Sequence, residues 1–438
     1  MRAPPRRIIH PRTPPVQRRH GNYGSPRLID RARVPGLVAL GIVLALAYGI
    51  WYAYSVFMVV LLQEFGWSRS VLAGAFSVFT LVHGIANPLV GMLCDRMRPG
   101  RIMAAGGVAL GCALWADSYI ATPLGLYVLF GGVTAVAVAI CGWVPAVIEV
   151  QRRFHDRLGL ALGIVSAGVG IGMILVVPLS QWLIDTLGWR TAFRVLGVTC
   201  AAIIVPSALY LARSDPARPL AAVPSPAAVR PAVVRPAPRS VPLSEAARGA
   251  PFWLIMAAYF FGSLSSQTMH VHQVAFLVDH GIAAMVAAAV VGVVGAASVV
   301  GKIGGGWLSD RIDREFVYVG GIVIMVASIG ALMLVGAMPN AWGAYGYAVL
   351  LGLGYSVTAA LTPALSADRF SGEHFGSIVG AGMFCSALGS AIGPWLAGWQ
   401  FDVTGSYAVP FLVAAVCAGI SGVAVWVAWR LRVVEPRR

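Results

Sequence analysis

Residues 91–96 read Gly-Met-Leu-Cys-Asp-Arg, and residues 306–311 read Gly-Trp-Leu-Ser-Asp-Arg. Gly91, Leu93, Asp95 and Arg96 thus recur as Gly306, Leu308, Asp310 and Arg311, 215 residues further along a chain of 438. Each copy follows the second long apolar stretch of its half of the chain. Self-similarity at a fixed offset is the mark of a duplicated unit. Two related bundles joined by a linker are how many secondary transporters build a site near the bilayer midplane.

The composition around these loops agrees. Of all residues, 58% are hydrophobic and 11% charged, against roughly 25% charged in a soluble globular domain. A helix needs about 20 apolar residues in a row to cross a bilayer. Eleven charge-free runs cover 34–63, 70–94, 102–116, 118–148, 158–184, 195–212, 249–278, 280–301, 316–367, 374–401 and 403–429. Pro339-Asn340 is a turn signal that divides the longest of them, giving twelve spans. The fold expected is an all-α integral membrane protein: twelve transmembrane helices in two pseudo-symmetric six-helix bundles. The bundles are expected at 34–212 and 252–430. Residues 1–33 carry nine Arg and lack an apolar stretch, which excludes a secretory signal peptide and predicts a disordered basic tail. Residues 213–251, with nine Pro and six Arg, predict a linker too polar and proline-rich to pack; 431–438 form a short second tail.

Cytoplasmic loops are enriched in Lys and Arg. With both termini cytoplasmic, only Arg69, Arg190 and Arg194 of the 32 basic residues fall outside and only Lys302 within a span. That orientation places the chain in the inner, cytoplasmic membrane as a multi-pass protein. The net charge of +15 sits in tails and cytoplasmic loops, where the lipid bilayer is its partner and nucleic acid is not. The six cysteines all lie in predicted helices without C-x-x-C spacing and read as small apolar core residues. There is no G-x-x-x-x-G-K-[ST], H-E-x-x-H or G-x-S-x-G. The chain is therefore not expected to be an enzyme or to need a cofactor or metal, and transport would draw on a gradient. No obligatory protein partner is implied.

The paired G-x-L-x-D-R loops resemble the signature of the major facilitator superfamily. Further segments are similar to its monocarboxylate porter and oxalate:formate antiporter group. They are Glu64-Phe65-Gly66-Trp67-Ser68-Arg69-Ser70, Arg157-Leu158-Gly159-Leu160-Ala161-Leu162-Gly163, Gly188-Trp189-Arg190, Pro251-Phe252-Trp253, and Phe401-Asp402 with Thr404-Gly405-Ser406-Tyr407. The resemblance implies that Asp95, Arg96, Arg101, Asp310 and Arg311 are gating residues that latch the cytoplasmic side. Arg98 departs from it, standing where the group usually has Gly.

Lys302 is the only lysine, eight residues before Asp310, or about 12 Å inward along a helix. A Lys that deep costs roughly 2.5 to 3.5 kcal/mol to insert, so a functional role is the default expectation. The resemblance places the group's carboxylate-holding basic residue, usually Arg, at this position. The acidic residue that some porters carry four positions earlier is Ser298, and their first-span lysine aligns with Val56. Gln267, His270 and His272 lie together in the seventh span. His270 and His272 point about 200° apart on a helix, so only one of them can face a central cavity. Tyr52 and Tyr355, both deep in their spans, are candidate cavity donors. His83 and Asn87 in the second span are weaker ones.

The function expected is secondary active transport of a small organic anion, a mono- or dicarboxylate, by alternating access, with proton symport or anion exchange. Gly389-x3-Gly393-Pro394-x3-Gly398 resembles a motif of proton-driven drug exporters, though those carry it in the fifth span. It supports the alternative, a proton-linked exporter of amphipathic compounds.

Overall fold

A computed structural model describes residues 34–153, 158–213, 243–370 and 375–434. The tail 1–33, the middle of the linker at 214–242 and the last residues 435–438 lie outside the described residues. The described residues form twelve long helices: α1 Val34–Phe65, α2 Arg69–Arg96, α3 Pro99–Asp117, α4 Pro123–Arg153, α5 Leu158–Leu187, α6 Trp189–Arg213, α7 Ala250–Asp279, α8 Ala284–Ser309, α9 Arg314–Ala337, α10 Ala341–Arg369, α11 Phe375–Thr404 and α12 Ala408–Val434. Ten of these are long and apolar enough to cross a membrane. The other two fall short in hydropathy: α3 carries Arg101 and Asp117 within its 19 residues, and Gln267, His270, His272 and Gln273 dilute α7.

Local chemistry sets the boundaries. Asn340 caps α10 by accepting from the Gly343 N–H at 2.6 Å, which is how the Pro339-Asn340 turn divides one apolar run into two helices. The 118–148 run becomes α4, with a π-helical turn at Tyr127–Thr134 and an extended residue at Gly142. Gly66, Gly188, Gly281 and Gly405, which follow α1, α5, α7 and α11, all have φ between 62° and 81°. Only glycine reaches that region without steric cost, and all four mark the same end of the molecule. That is the distal end; the end where α1 begins and α12 finishes is the terminal end.

The two halves, α1–α6 and α7–α12, repeat one packing scheme. α1 lies on α5 as α7 lies on α11, and α3 lies on α6 as α9 lies on α12. The first half is locked by rings: Tyr54 stacks on Phe130 at 4.3 Å, Phe57 on Phe193 at 3.9 Å, and the Tyr54 hydroxyl donates to the Leu72 carbonyl at 2.5 Å. Small residues let backbones touch. Gly168 and Gly172 of α5 lie against the α1 backbone at Gly41 and Ala45.

The halves meet through α2 with α11, α5 with α8, and α1 with α7. A Cβ built on Gly295 would lie 2.6 Å from the Gly170 carbonyl oxygen, so α5 and α8 cross with their backbones in contact. Toward the terminal end the same faces part. Gly163, seven residues before Gly170, and Gly306, seven after Val299, have nothing within 4 Å of a Cβ. On α2 and α11, Asp95 and Met383 are exposed on the faces that carry Gly84 and Ala387. The molecule is closed between its halves at the distal end and open at the terminal end.

Two expectations need correction. The linker does not stay unpacked to residue 251: Leu243–Ala246 form a helical turn, Ala246 is buried against Phe252 and Ile255, and α7 begins at Ala250. Leu243, Ala246 and Ala247 give this stretch an apolar side that the prolines before it lack. Nor are all cysteines core residues, since Cys112 is exposed and Cys385 half-buried.

Candidate functional site

The interface between the halves holds a polar cluster at the depth where they begin to part. His270 of α7 lies 5.1 Å, ring to ring, from Tyr52 of α1 and 4.6 Å from Tyr355 of α10. The Tyr355 hydroxyl reaches the Met173 sulfur of α5 at 3.9 Å, so two contacts of the cluster cross between halves, α1 to α7 and α5 to α10. His270 Nδ1 donates to the Ser266 carbonyl at 2.7 Å. Its Nε2 then carries a lone pair, buried and without a partner. Gln267, one turn toward the terminal end on the same side of α7, has an unpartnered buried Oε1.

Lys302 stands one turn beyond Ser298 toward the terminal end. It lies seven residues from Gly295 and three from Val299, the residues through which α8 touches α5, and so within about 60° of both on the helix. That face lines the gap between the halves. Lys302 is half-buried, and no carboxylate among the described residues pairs with it. A cation so placed can attract an anion entering from the open end.

The structure separates the two histidines. His272 does not join His270 but turns toward the distal loops: its Nε2–H donates to the Pro394 carbonyl at 2.8 Å, and its Nδ1 accepts from the Tyr407 hydroxyl at 3.0 Å. Burial pushes the Tyr407 phenol well up, so it stays a hydroxyl donor. Tyr407 in turn accepts from Arg69.

Arg69, the first residue of α2, is the centre of this distal assembly. Its side chain is 7% exposed and pairs with Asp279 of α7 at 2.6 Å. The guanidinium lies over the Phe401 ring at 3.8 Å. Asp402 accepts from the backbone N–H groups of Arg69 and Ser70 at 2.9 and 2.8 Å. A carboxylate of one half thus caps the N-terminus of a helix in the other, where the helix dipole favours negative charge. A cavity of about 440 Å³ surrounds this clamp, walled by Phe276, Met333, Phe401 and Phe411. Sequence reasoning took Arg69 as a topology marker and as part of a family-like segment, and no local signal names its partners.

The expected gating residues lie at the terminal end. Asp95, Arg96, Arg101, Asp310 and Arg311 are exposed where the halves stand apart, and Arg311 folds back over the Trp307 ring at 3.5 Å.

Two duplicated helical bundles, closed on each other at one end and enclosing a buried polar cluster with one cation, define a multi-pass membrane carrier. The chain belongs to the Major Facilitator Superfamily, whose sequence pattern matches residues 40–349 and 273–438. Monocarboxylate transporter 12-B of Danio rerio is 25% identical over 387 residues, covering 82% of this chain and 79% of that protein. Monocarboxylate transporter 11 of Mus musculus is 28% identical over 397 residues, covering 84% and 81%. The MFS-type transporter YcxA of Bacillus subtilis is 24% identical over 388 residues, covering 85% and 89%. Among solved structures, a bacterial homologue of the human lysosomal transporter Spinster, inward-facing and unoccupied, superposes with a TM-score of 0.71 at 18% identity. That match covers 92% of this chain and 98% of that one. The chain is a transport protein related to the monocarboxylate group, not an enzyme.

Proposed function

We propose that this protein carries a small organic anion, a carboxylate, across the cytoplasmic membrane by alternating access, with Lys302 as the anchor. One observation supports this above the rest: a half-buried lysine without a carboxylate partner lines the gap at the depth where the halves separate. At that depth the low dielectric strengthens attraction for an anion. The likeness to monocarboxylate transporters agrees with this reading.

With the basic loops inside, the terminal end is cytoplasmic and both termini are inside, so the structure corresponds to an inward-open state. Asp95, Arg96, Arg101, Asp310 and Arg311 then form the latch that assembles when the cytoplasmic side closes. His270 supplies coupling. Its Nε2 lone pair repels an anion, but a proton taken up there makes it a charged donor, so anion and proton favour each other's binding. Tyr52, Tyr355 and Gln267 complete the wall around it, and His272 belongs to the distal clamp. The exporter reading loses its motif: Gly389 and Gly393 lie against the α7 backbone and Gly398 against that of α2, so helix packing accounts for all three.

The test is thermal stabilisation of the purified protein by short aliphatic, dicarboxylic and aromatic acids beside neutral and cationic amphiphiles, on wild type and Lys302→Gln. An acid that stabilises wild type and not Lys302→Gln supports the carrier. Stabilisation by amphiphiles alone, indifferent to Lys302→Gln, sinks it.

A further inference from the structure

The anion reading gives tasks to α7, α8, α10 and Tyr52 of α1, and leaves α2 on the opposite wall without one. The halves are parallel repeats, related by an axis along the membrane normal, and the offset of 215 that pairs Asp95 with Asp310 also pairs Gly66 with Gly281, both left-handed in the structure. Moved back by that offset, Ser298 and Lys302 land on His83 and Asn87. The equivalence holds in the packing. Val299 of α8 touches α5 at Gly170, and Gly84 of α2 touches α11 at Ala387. Lys302 and Asn87 each lie three residues beyond that contact, toward the open end. His83 and Asn87 therefore stand at the same depth as Ser298 and Lys302, on the facing wall.

One polar atom of each lacks a partner among the described residues. Asn87 Nδ2–H donates to His83 Nδ1 at 3.3 Å, which leaves the His83 proton on Nε2. His83 Nε2, Asn87 Oδ1 and the neighbouring Trp51 Nε1 are all buried without partners. His83 and Trp51 are each nine-tenths buried, and their rings meet edge-on at 4.9 Å. Phe76 and Phe79 also pack edge-on against Trp51, at 5.8 and 4.9 Å. Buried polar atoms nearly always find partners, so three orphans in one rigid cluster mark a place where a partner arrives.

We propose that Trp51, His83 and Asn87 form a second subsite, which binds a neutral hydrogen-bonding group at the far end of the anion held by Lys302. The proposal rests on the anion reading and narrows it. Two N–H donors and one carbonyl acceptor match a hydroxyl or an amide. A second carboxylate would find donors but no cation, because the basic residues of α1 and α2, Arg69 and Arg96, stand at the helix ends, and an unpaired buried charge is costly. The substrate class is a monoanion with a neutral polar tail, which excludes dicarboxylates.

Calorimetric titration of the purified full chain with hexanoate, 6-hydroxyhexanoate and adipate, and with the matching four-carbon set, tests this. The hydroxy acid of the set that fits should bind at least about tenfold tighter than its alkanoate, and the diacid more weakly than either. His83→Phe and Asn87→Leu should each erase the hydroxy preference, so that the hydroxy acid and its alkanoate bind the variant alike; saturable alkanoate binding shows that the variants fold. Lys302→Gln should lose every acid. If His83→Phe and Asn87→Leu keep the wild-type preference while Lys302→Gln binds nothing, the second subsite is wrong and the carrier reading stands. If Lys302→Gln binds as wild type does, or no acid binds wild type, both readings fall.

Discussion

Replacing Arg69 with Leu should release the distal clamp and move the protein from its distal-closed state toward the opposite one. The variant keeps apolar contact with Phe401 but loses the ion pair to Asp279, the hydrogen bond to Tyr407 and the charge over the ring. Exposed ion pairs are worth about 0.2 to 1 kcal/mol, and breaking a fully buried one costs about 3 to 5. Asp279 is 34% exposed and rehydrates once its partner is gone, so the ion-pair loss falls nearer the lower figure, at about 1 to 2 kcal/mol. The cation over the ring adds about 0.5 to 2 kcal/mol. These links bridge the halves only while the distal end is closed, so their loss of about 1.5 to 4 kcal/mol acts on the closed state alone. At a factor of ten per 1.4 kcal/mol, that shifts the equilibrium roughly 10- to 1,000-fold. Spin labels on exposed Gln63 and Ala408, one in each half beside the clamp, read the shift by electron double resonance. Wild type should give a narrow short distance, and Arg69→Leu a major longer component. An unchanged distribution in Arg69→Leu would refute the assignment of Arg69 as the lock.

The same label pair tests two further predictions. Asp402→Ala removes the cap from two backbone N–H groups of α2, a loss of about 0.5 to 2 kcal/mol; it should populate the long distance less than Arg69→Leu, and Asp402→Asn, which keeps one carbonyl acceptor, less again. Gly295→Val places a side chain 2.6 Å from the Gly170 carbonyl oxygen and the Met173 Cβ, so it should hold the distal end open while melting close to wild type; a short distance would show that α5 and α8 can slide to make room.

The duplicated loop and the charge-free runs made the two bundles legible, because both the repeat and hydrophobic length act locally along the chain. The choice between His270 and His272 was half legible. Helical rotation showed that they must diverge, but only packing shows that His270 faces Tyr52 and Tyr355 while His272 faces Pro394 and Tyr407. The clamp was not legible at all. Arg69 and Asp402 stand 333 residues apart, and nothing in either segment names the other, although both carried the family likeness. The charge rule nevertheless singles out the arginine, though not its partners. On the proposed orientation, loop charge keeps arginine off the distal side, so each arginine found there stands against the bias that sets topology. All three are engaged. Arg69 holds the halves, Arg190 pairs with Glu64 at 3.0 Å, and Arg194 donates to Ser118 at 3.0 Å beside the rings of Trp115 and Tyr119. A basic residue on the wrong side of the charge rule is therefore a candidate structural contact before it is a topology marker, and its partners are to be sought among the distal loops of the other half as well as its own.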